Sequence, residues 1–380
     1  MKIEKVTVFA LAYGGAGVCR LADGRVAFVP GVLPQEVVNI RITAEKKRFA
    51  LAEVVEILES SADRCEPACP LAGKCPGCVY MHCNYALEVK WKEQQLRDFL
   101  LRSGLADEEV IAPSFASLEP LHYRNKLILH RRDDGKYGYF GWDNRSVLPV
   151  EKCLLADRRI NELLPHAAGN KALFRCSSSG EVRLIDPASP GVLHEVIPGG
   201  GEFIVAGNGF FQTNMSVAQE LAAEVIAAVS GGGRKNILEL YCGVGVFSIA
   251  LAKSDKNIRC TGVEVDSQAI GSARKNALLN EVQSQCRFFA GDAGKSLEKI
   301  SASPDSVIID PPRSGVEGKT LDKVIALNSK QIVYISCAAD TLTRDLKKLT
   351  ACGYRIKRAR MLDMFPRTAH FEVFTLLERY

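Results

Sequence analysis

Apolar and polar residues alternate through the opening stretch of the chain in the two-residue period of short β-strands. Residues 3–8, 25–29, 37–43 and 50–57 carry this pattern, and Gly14-Gly15-Ala16-Gly17 and Asp23-Gly24 supply turns between them. Closely spaced strands with no intervening helix predict a small closed barrel over residues 1–58, either of the oligonucleotide-binding sort or an SH3-like structural cap. After a loop at 60–83 the period becomes helical. Leu87, Trp91, Leu96, Phe99 and Leu100 share one side of a segment that begins at Asn84 and stops at Gly104. Residues 114–205 are turn-rich, with Asp133-Asp134-Gly135 as a hairpin signal, and predict an antiparallel α+β unit in a central domain spanning 59–205.

The texture changes again near residue 214. A helix over 217–229 precedes the glycine run 231–233, and apolar strand patterns follow at 236–240, 260–265, 287–289, 306–309 and 331–335. Helical patterns separate most of these strands, and two extended segments, 354–361 and 371–377, close the chain. The alternation predicts a Rossmann-like α/β domain over 206–380, a mostly parallel, doubly wound sheet with an antiparallel ending.

Composition narrows the class without naming an activity. With 47% hydrophobic and 24% charged residues in 380, the chain has the makeup of a soluble protein of two or three domains. No apolar run is long enough to span a bilayer. The start, Met1-Lys2-Ile3-Glu4-Lys5, lacks a signal-peptide pattern, so a cytoplasmic location is expected. A net charge of +5 says little by itself. Its distribution says more, because Arg124, Lys126, Arg131 and Arg132 form one cluster and Lys347, Lys348, Arg355, Lys357, Arg358, Arg360 and Arg367 another. Each alone suits a solvated face; together they predict a surface that tracks phosphates.

Thirteen cysteines exceed what a core needs, and five of them, Cys65, Cys69, Cys75, Cys78 and Cys83, fall in one short segment. Cys69-x5-Cys75-x2-Cys78, with Cys153 as a distant fourth, suits either an iron–sulfur cluster or zinc. Reduced thiols without metal are the plainer alternative.

In the α/β domain the strand at 236–240 runs into Tyr241-Cys242-Gly243-Val244-Gly245, a glycine turn that lets backbone amides approach a ligand. The loop departs from the dinucleotide Gly-x-Gly-x-x-Gly, which favours S-adenosylmethionine over a pyrophosphate cofactor. Glu264 ends the second strand, where an acid accepts from ribose hydroxyls, and Asp292 after the third suits an adenine amino group. Asp310-Pro311-Pro312-Arg313 ends the fourth strand, the prolines fixing the backbone that carries the acid. Amino-methyltransferases place an aromatic ring where Arg313 stands.

Cys337 lies just beyond the fifth strand. A uracil ring carbon is too weak a nucleophile to take a methyl group directly. Addition of a thiolate at carbon 6 places negative charge at carbon 5, which can then attack a sulfonium methyl. A base must afterwards remove the carbon 5 proton, and Glu372 offers the carboxylate. Considered singly, Cys337 is a small buried residue and Glu372 an exposed strand acid; the surrounding loops give them joint chemistry.

These motifs resemble one family. Phe210 to Asn214 (FFQTN), LELYCGVGVFSIALA, GVEVD, DPPRSG, SCAADTLTRD and DMFPRTAHFEVFTLLER are similar, in order, to the bacterial RNA 5-methyluridine methyltransferases. The resemblance covers essentially the whole chain. It implies a TRAM domain at 1–58, a 4Fe–4S cluster on Cys69, Cys75, Cys78 and Cys153, Cys337 as nucleophile and Glu372 as base. It also implies S-adenosylmethionine contacts from Gln212, Tyr241, Glu264 and Asp310, with Asp292 a further adenine-side contact. Tyr123-Arg124-Asn125-Lys126 matches a family stretch in the RNA-binding central domain. Val246 and Arg367 depart from an asparagine and a histidine common in the family.

The cluster is expected to brace an RNA-binding loop, since methyl transfer of this kind moves no electron and the radical-enzyme Cys-x3-Cys-x2-Cys triad is broken after Cys69. The resemblance implies a monomer acting on 23S ribosomal RNA, with transfer RNA as the alternative. Cytosine methylation and a noncatalytic RNA-binding or assembly protein are the competing readings.

Overall fold

In the computed structural model, which describes residues 3–230, 233–298 and 303–379, the first five strands close into a barrel. Met1, Lys2, Gly231 and Gly232, which belong to the expected N-terminal and glycine-run features, lie outside the described residues. The chain divides into two compact units. One comprises 1–95, 130–154 and 365–370; the other comprises 96–129, 155–364 and 371–380.

The first unit holds the barrel of β1 (Ile3–Leu11), β2 (Gly17–Arg20), β3 (Val26–Val29), β4 (Val37–Glu45) and β5 (Phe49–Glu59), in the order β1-β2-β3-β5-β4. Antiparallel pairing of β1 with β4 closes the ring, and β3 meets β5 in parallel. Inward side chains of the alternating pattern, among them Val6, Val8, Val29, Val38 and Ile40, fill the interior. Helix α1 (Tyr85–Arg102) starts where expected: the Asn84 side-chain oxygen accepts from the Leu87 amide at 2.8 Å, a side-chain cap. The helical period hid one feature, a fully buried ion pair between Glu88 and Lys92 at 2.8 Å.

Four strands follow α1: β6 (Ile111–Phe115), β7 (Lys126–Arg131), β8 (Tyr137–Phe140) and β9 (Val147–Pro149). Helix α2 (Arg158–Leu163) precedes two hairpins, β10 (Lys171–Cys176) with β11 (Val182–Ile185), and β12 (Val192–Ile197) with β13 (Gly201–Ala206).

The second unit is built on an eight-stranded sheet. Helix α3 (Met215–Ser230) leads into β14 (Asn236–Leu240), α4 (Val246–Ser254), β15 (Arg259–Glu264), α5 (Ser267–Leu279), β16 (Cys286–Ala290) and α6 (Ala293–Leu297). Then come β17 (Ser306–Ile309), α7 (Gly318–Ala326), β18 (Gln331–Ser336), α8 (Ala339–Ala351), β19 (Tyr354–Leu362) and β20 (Glu372–Arg379). The order is β16-β15-β14-β17-β18-β20-β19-β6, parallel from β16 to β18, with β20 antiparallel to β18. Every residue of β17 and β18 is buried, which is why these strands read as continuous apolar runs. Strand order reverses between β14 and β17, the switch point beyond which doubly wound folds bind ligands. The parallel pairing of β6 with β19 was not foreseen, because a short edge strand containing Pro113 carries little periodic signal.

Among the described residues, no helix is long and apolar enough to cross a membrane.

Candidate active site

At the carboxyl edge of β14 the backbone turns through Tyr241, a non-glycine residue with φ of 62°, into a loop closed by Gly245. Gly245 has φ of 85°, and a Cβ there would come within 2.8 Å of the Phe288 ring, so only glycine fits. The Glu264 carboxylate, at the end of β15, accepts from the Gly243 amide at 3.2 Å and the Asp266 amide at 3.0 Å. It thereby ties the glycine loop to the second strand. Asp292 is exposed and caps α6, accepting from the Lys295 amide at 2.9 Å. Beside these acids Val265 and Phe289 stand 72% and 50% exposed, an apolar lip on a polar edge.

Glu239 was missed by the sequence reading. It is buried in β14 and accepts from the Ser248 amide at 2.8 Å and from the Ser248 hydroxyl. Burial pushes its carboxyl up to about 8, against the pull of those bonds and with Asp310 and Glu264 adding to the rise.

Cys337, Asp310, Arg313 and Glu372 act on one another electrostatically. Cys337 is half-buried, one residue before the cap of α8. Burial raises its thiol to about 11; Glu372 and Asp310 raise it too, while the Arg313 guanidinium opposes by charge and by hydrogen bonding. Burial and the Asp310 charge also hold the Glu372 carboxyl well above the usual carboxylate range, with Arg313 again opposing. Asp310, partly buried beyond β17, is raised to about 7 by burial. Glu372 Oε2 is buried and has no hydrogen-bond partner, which leaves it an acceptor in search of a proton. Thus the thiol and the two carboxyls stand within reach of one another's charge, with the Arg313 guanidinium beside them. Arg313, first read only as an absent aromatic, is the cation among them.

The structure assigns a different task to part of the 123–126 stretch. Asn125 Nδ2 donates to the Gln212 carbonyl at 2.8 Å, and Lys126 Nζ donates to the Gly209 carbonyl at 3.2 Å. The buried Arg175 adds a bond to the same Gly209 carbonyl at 2.8 Å. Together they hold the segment that presents Gln212. Three cations of the C-terminal basic cluster also meet acids. Arg358 pairs with Glu224, and Arg360 with Glu220 and Glu224; Lys348 pairs with Asp322. Their acids lie far away in sequence, so charge counted along the chain does not show these pairings.

With this geometry in place, comparison with known proteins is specific. Residues 202–380 match the tRNA (uracil-5-)-methyltransferase family, and residues 2–55 match the TRAM domain. An uncharacterized RNA methyltransferase of Aquifex aeolicus is 31% identical, with 98% of each chain covered. The chain belongs to the uracil-5 RNA methyltransferase family. A second methyltransferase relative, from Gloeobacter violaceus, is 28% identical over 98% of this chain and 96% of its own. The crystal structure of a Pyrococcus abyssi tRNA (uracil-54, C5)-methyltransferase in complex with S-adenosyl-L-homocysteine superimposes with a TM-score of 0.76 at 25% identity. That alignment covers 98% of this chain and 100% of the Pyrococcus chain.

The cysteine-rich loop of this methyltransferase lies in the first unit. Cys69, Cys75, Cys78 and Cys153 are half-buried, and the Trp142 indole donates to the Gly73 carbonyl at 3.3 Å, joining the loop to the segment that leads to Cys153. Tyr139 contributes a contact from its hydroxyl to Cys153 Sγ at 3.5 Å. Among the described residues, however, no three Cys, His, Asp or Glu side chains converge as a metal-binding group. Cys83 belongs to the core: it packs with Leu11, Leu33 and Tyr80, and burial pushes its thiol up to about 12. Arg367, at φ of 67°, turns inward. Its guanidinium donates to the Cys83 carbonyl at 2.9 Å, its amide donates to Glu88 at 2.6 Å, and its carbonyl accepts from the amides of Val79 and Tyr80.

Proposed function

We propose that this methyltransferase methylates carbon 5 of a uridine through covalent catalysis by Cys337, with S-adenosylmethionine as donor. The observation that carries the proposal is that Cys337 stands among the Arg313 guanidinium, the Asp310 carboxyl and the unpartnered Glu372 Oε2. The Cys337 thiolate forms a bond to carbon 6, and the electron pair of the 5,6 double bond moves to carbon 5. S-adenosylmethionine supplies an electrophilic methyl, so carbon 5 gains the methyl and the sulfonium carbon–sulfur bond breaks. Glu372 takes the proton from carbon 5. The returning electron pair restores the double bond and expels the Cys337 thiolate.

The raised thiol and carboxyl have a mechanistic consequence. At neutral pH burial keeps the Cys337 thiol largely protonated and disfavours the charge on Glu372, so an entering uracil that brings its own hydrogen-bonding groups must favour the ionised forms. Arg313 provides the positive charge that the resulting anion needs. Tyr241, Glu264, Asp310, Gln212 and, on the adenine side, Asp292 are the residues proposed to hold the donor. Glu264 supports this role through its position beside the glycine-loop amide of Gly243. The target base leaves its stack to reach Cys337, at a cost of a few kcal/mol.

The proposed substrate is 23S ribosomal RNA, on the support of the TRAM barrel together with a four-cysteine set. Transfer RNA is the second reading, favoured by the likeness to the Pyrococcus abyssi enzyme. Mapping 5-methyluridine in cellular RNA with and without the gene separates them: a site lost from 23S RNA supports the first, a site lost from transfer RNA the second. A Cys337→Ala chain that methylates at the normal rate overturns the mechanism. We also propose a 4Fe–4S cluster on Cys69, Cys75, Cys78 and Cys153, supported by the Trp142 contact that joins their two segments. Anaerobically purified protein with iron, sulfide and a visible absorbance band bears this out; zinc alone contradicts it.

A further inference from the structure

The loop after β17 carries Asp310 and Arg313 and has no regular structure of its own, yet its backbone is tied down at nearly every step by helix α8. Thr341 Oγ1 donates to the Arg313 carbonyl at 3.0 Å. Arg344 Nη2 donates to the carbonyls of Ser314 and Val316, each at 3.1 Å. The Val316 amide donates to Asp345 Oδ2 at 2.9 Å, and Arg344 Nε donates to the other oxygen, Oδ1, at 2.8 Å. Asp345 is 2% exposed, and its Oδ2 also accepts from the Tyr334 hydroxyl at 2.6 Å. Gly315, at φ of 73°, passes so close that a Cβ would lie 2.5 Å from Arg344 Nη2 and 2.8 Å from Asp345 Oδ2.

Tyr334 lies on β18, three residues before Cys337, and Cys337 immediately precedes the cap of α8. The thiol and the clamp are therefore parts of one strand-to-helix turn. We propose that Tyr334, Thr341, Arg344 and Asp345 are positioning residues that hold the 310–316 loop so that Arg313 meets Cys337. This deepens the proposed function, resting on Cys337 as the nucleophile. A carboxylate buried with three donors on two oxygens is a fixed point, and Arg344 extends it as a fork onto two carbonyls. Neither Arg344 nor Asp345 touches substrate or donor in this scheme; they act through Arg313. The groups facing the Cys337 thiol are Arg313 and Asp310 from the loop and Glu372 from β20.

The test is the alkylation rate of Cys337 by iodoacetamide in the full chain, at about pH 9, followed on the peptide that contains it. It needs neither RNA nor donor, so an error in the assignment of the nucleophile would leave it interpretable. Arg344→Gln is expected to slow alkylation about three- to tenfold, because a displaced Arg313 no longer favours the thiolate. Thr341→Val, nearly isosteric and safe for folding, is expected to slow it less, in the same direction. In an Arg313→Gln background, Arg344→Gln should add no further slowing. Wild-type rates in both single variants overturn the proposal, whatever their thermal stability. So does a double variant slowed by the product of the two single effects, since Arg344 would then act without Arg313.

Discussion

Asp310 is held at a cost to the fold, and Asp310→Asn should reveal it. The unfolded carboxyl titrates near 3.9, whereas burial raises the folded group to about 7. A folded value above the unfolded one means that the native state binds the proton more tightly. Its stabilising contribution is complete below about pH 4 and is lost as pH rises through the folded value. Three units correspond to at most about 4 kcal/mol. Asp310 is only partly buried, so water lowers the expected penalty to roughly 2 kcal/mol.

The asparagine carries no charge at any pH. Its advantage over wild type should be absent near pH 4, grow across the interval and level off above pH 7, at roughly 2 kcal/mol in denaturant unfolding. The substitution also removes a charge that raises Glu372, which adds in the same direction. Methyl transfer should be lost at every pH. A stability difference that stays constant from about pH 4 to 8 would refute the reasoning, as that pattern leaves no ionisation to relieve.

Glu372→Gln should let the thiol add and the methyl move but block proton removal, so a covalent protein–RNA adduct accumulates on denaturing gels. No adduct with a bound substrate removes Glu372 from its role. Arg313→Gln should lower Cys337 alkylation up to about tenfold at fixed pH, the upper bound reflecting how water screens an exposed guanidinium; an unchanged rate contradicts the charge pairing. Arg175→Ala leaves Glu195, its buried partner at 3.4 Å, without its cation and removes the shorter of two bonds to the Gly209 carbonyl. Unfolding free energy should fall by about 3–5 kcal/mol, and a loss below about 1 kcal/mol would show that the pair is not held as described.

The fold was legible where burial imposes a period. Alternation marked the barrel, and the unbroken apolar runs at 306–309 and 331–335 marked strands covered on both faces. The order of the glycine loop, the two acids, the proline-stiffened loop and the late cysteine then gave the chemistry. What escaped was set by partners distant in sequence. Arg358 and Arg360 look basic along the chain, but Glu220 and Glu224 engage them from α3. Asn125 and Lys126 bond carbonyls of a segment more than eighty residues away, which the 123–126 stretch alone does not announce. Glu88 and Lys92 break the apolar face of α1 and are buried nonetheless, because each neutralises the other. No local pattern announces such pairs. Arg313 was visible in the motif, and its meaning became clear only once Cys337 and Glu372 stood beside it.

The proposed mechanism requires Cys337 to attack carbon 6 of the target uridine. An RNA carrying 5-fluorouridine at that position allows thiolate addition and methyl transfer but gives Glu372 no proton to remove, so the enzyme should remain bonded to it. Protease digestion and mass spectrometry of that complex should find the nucleotide on the peptide containing Cys337, with S-adenosylmethionine required for the methylated form. A complex bonded through another residue, or the absence of any bonded complex from an enzyme that methylates the unmodified RNA, would rule out Cys337 as the nucleophile.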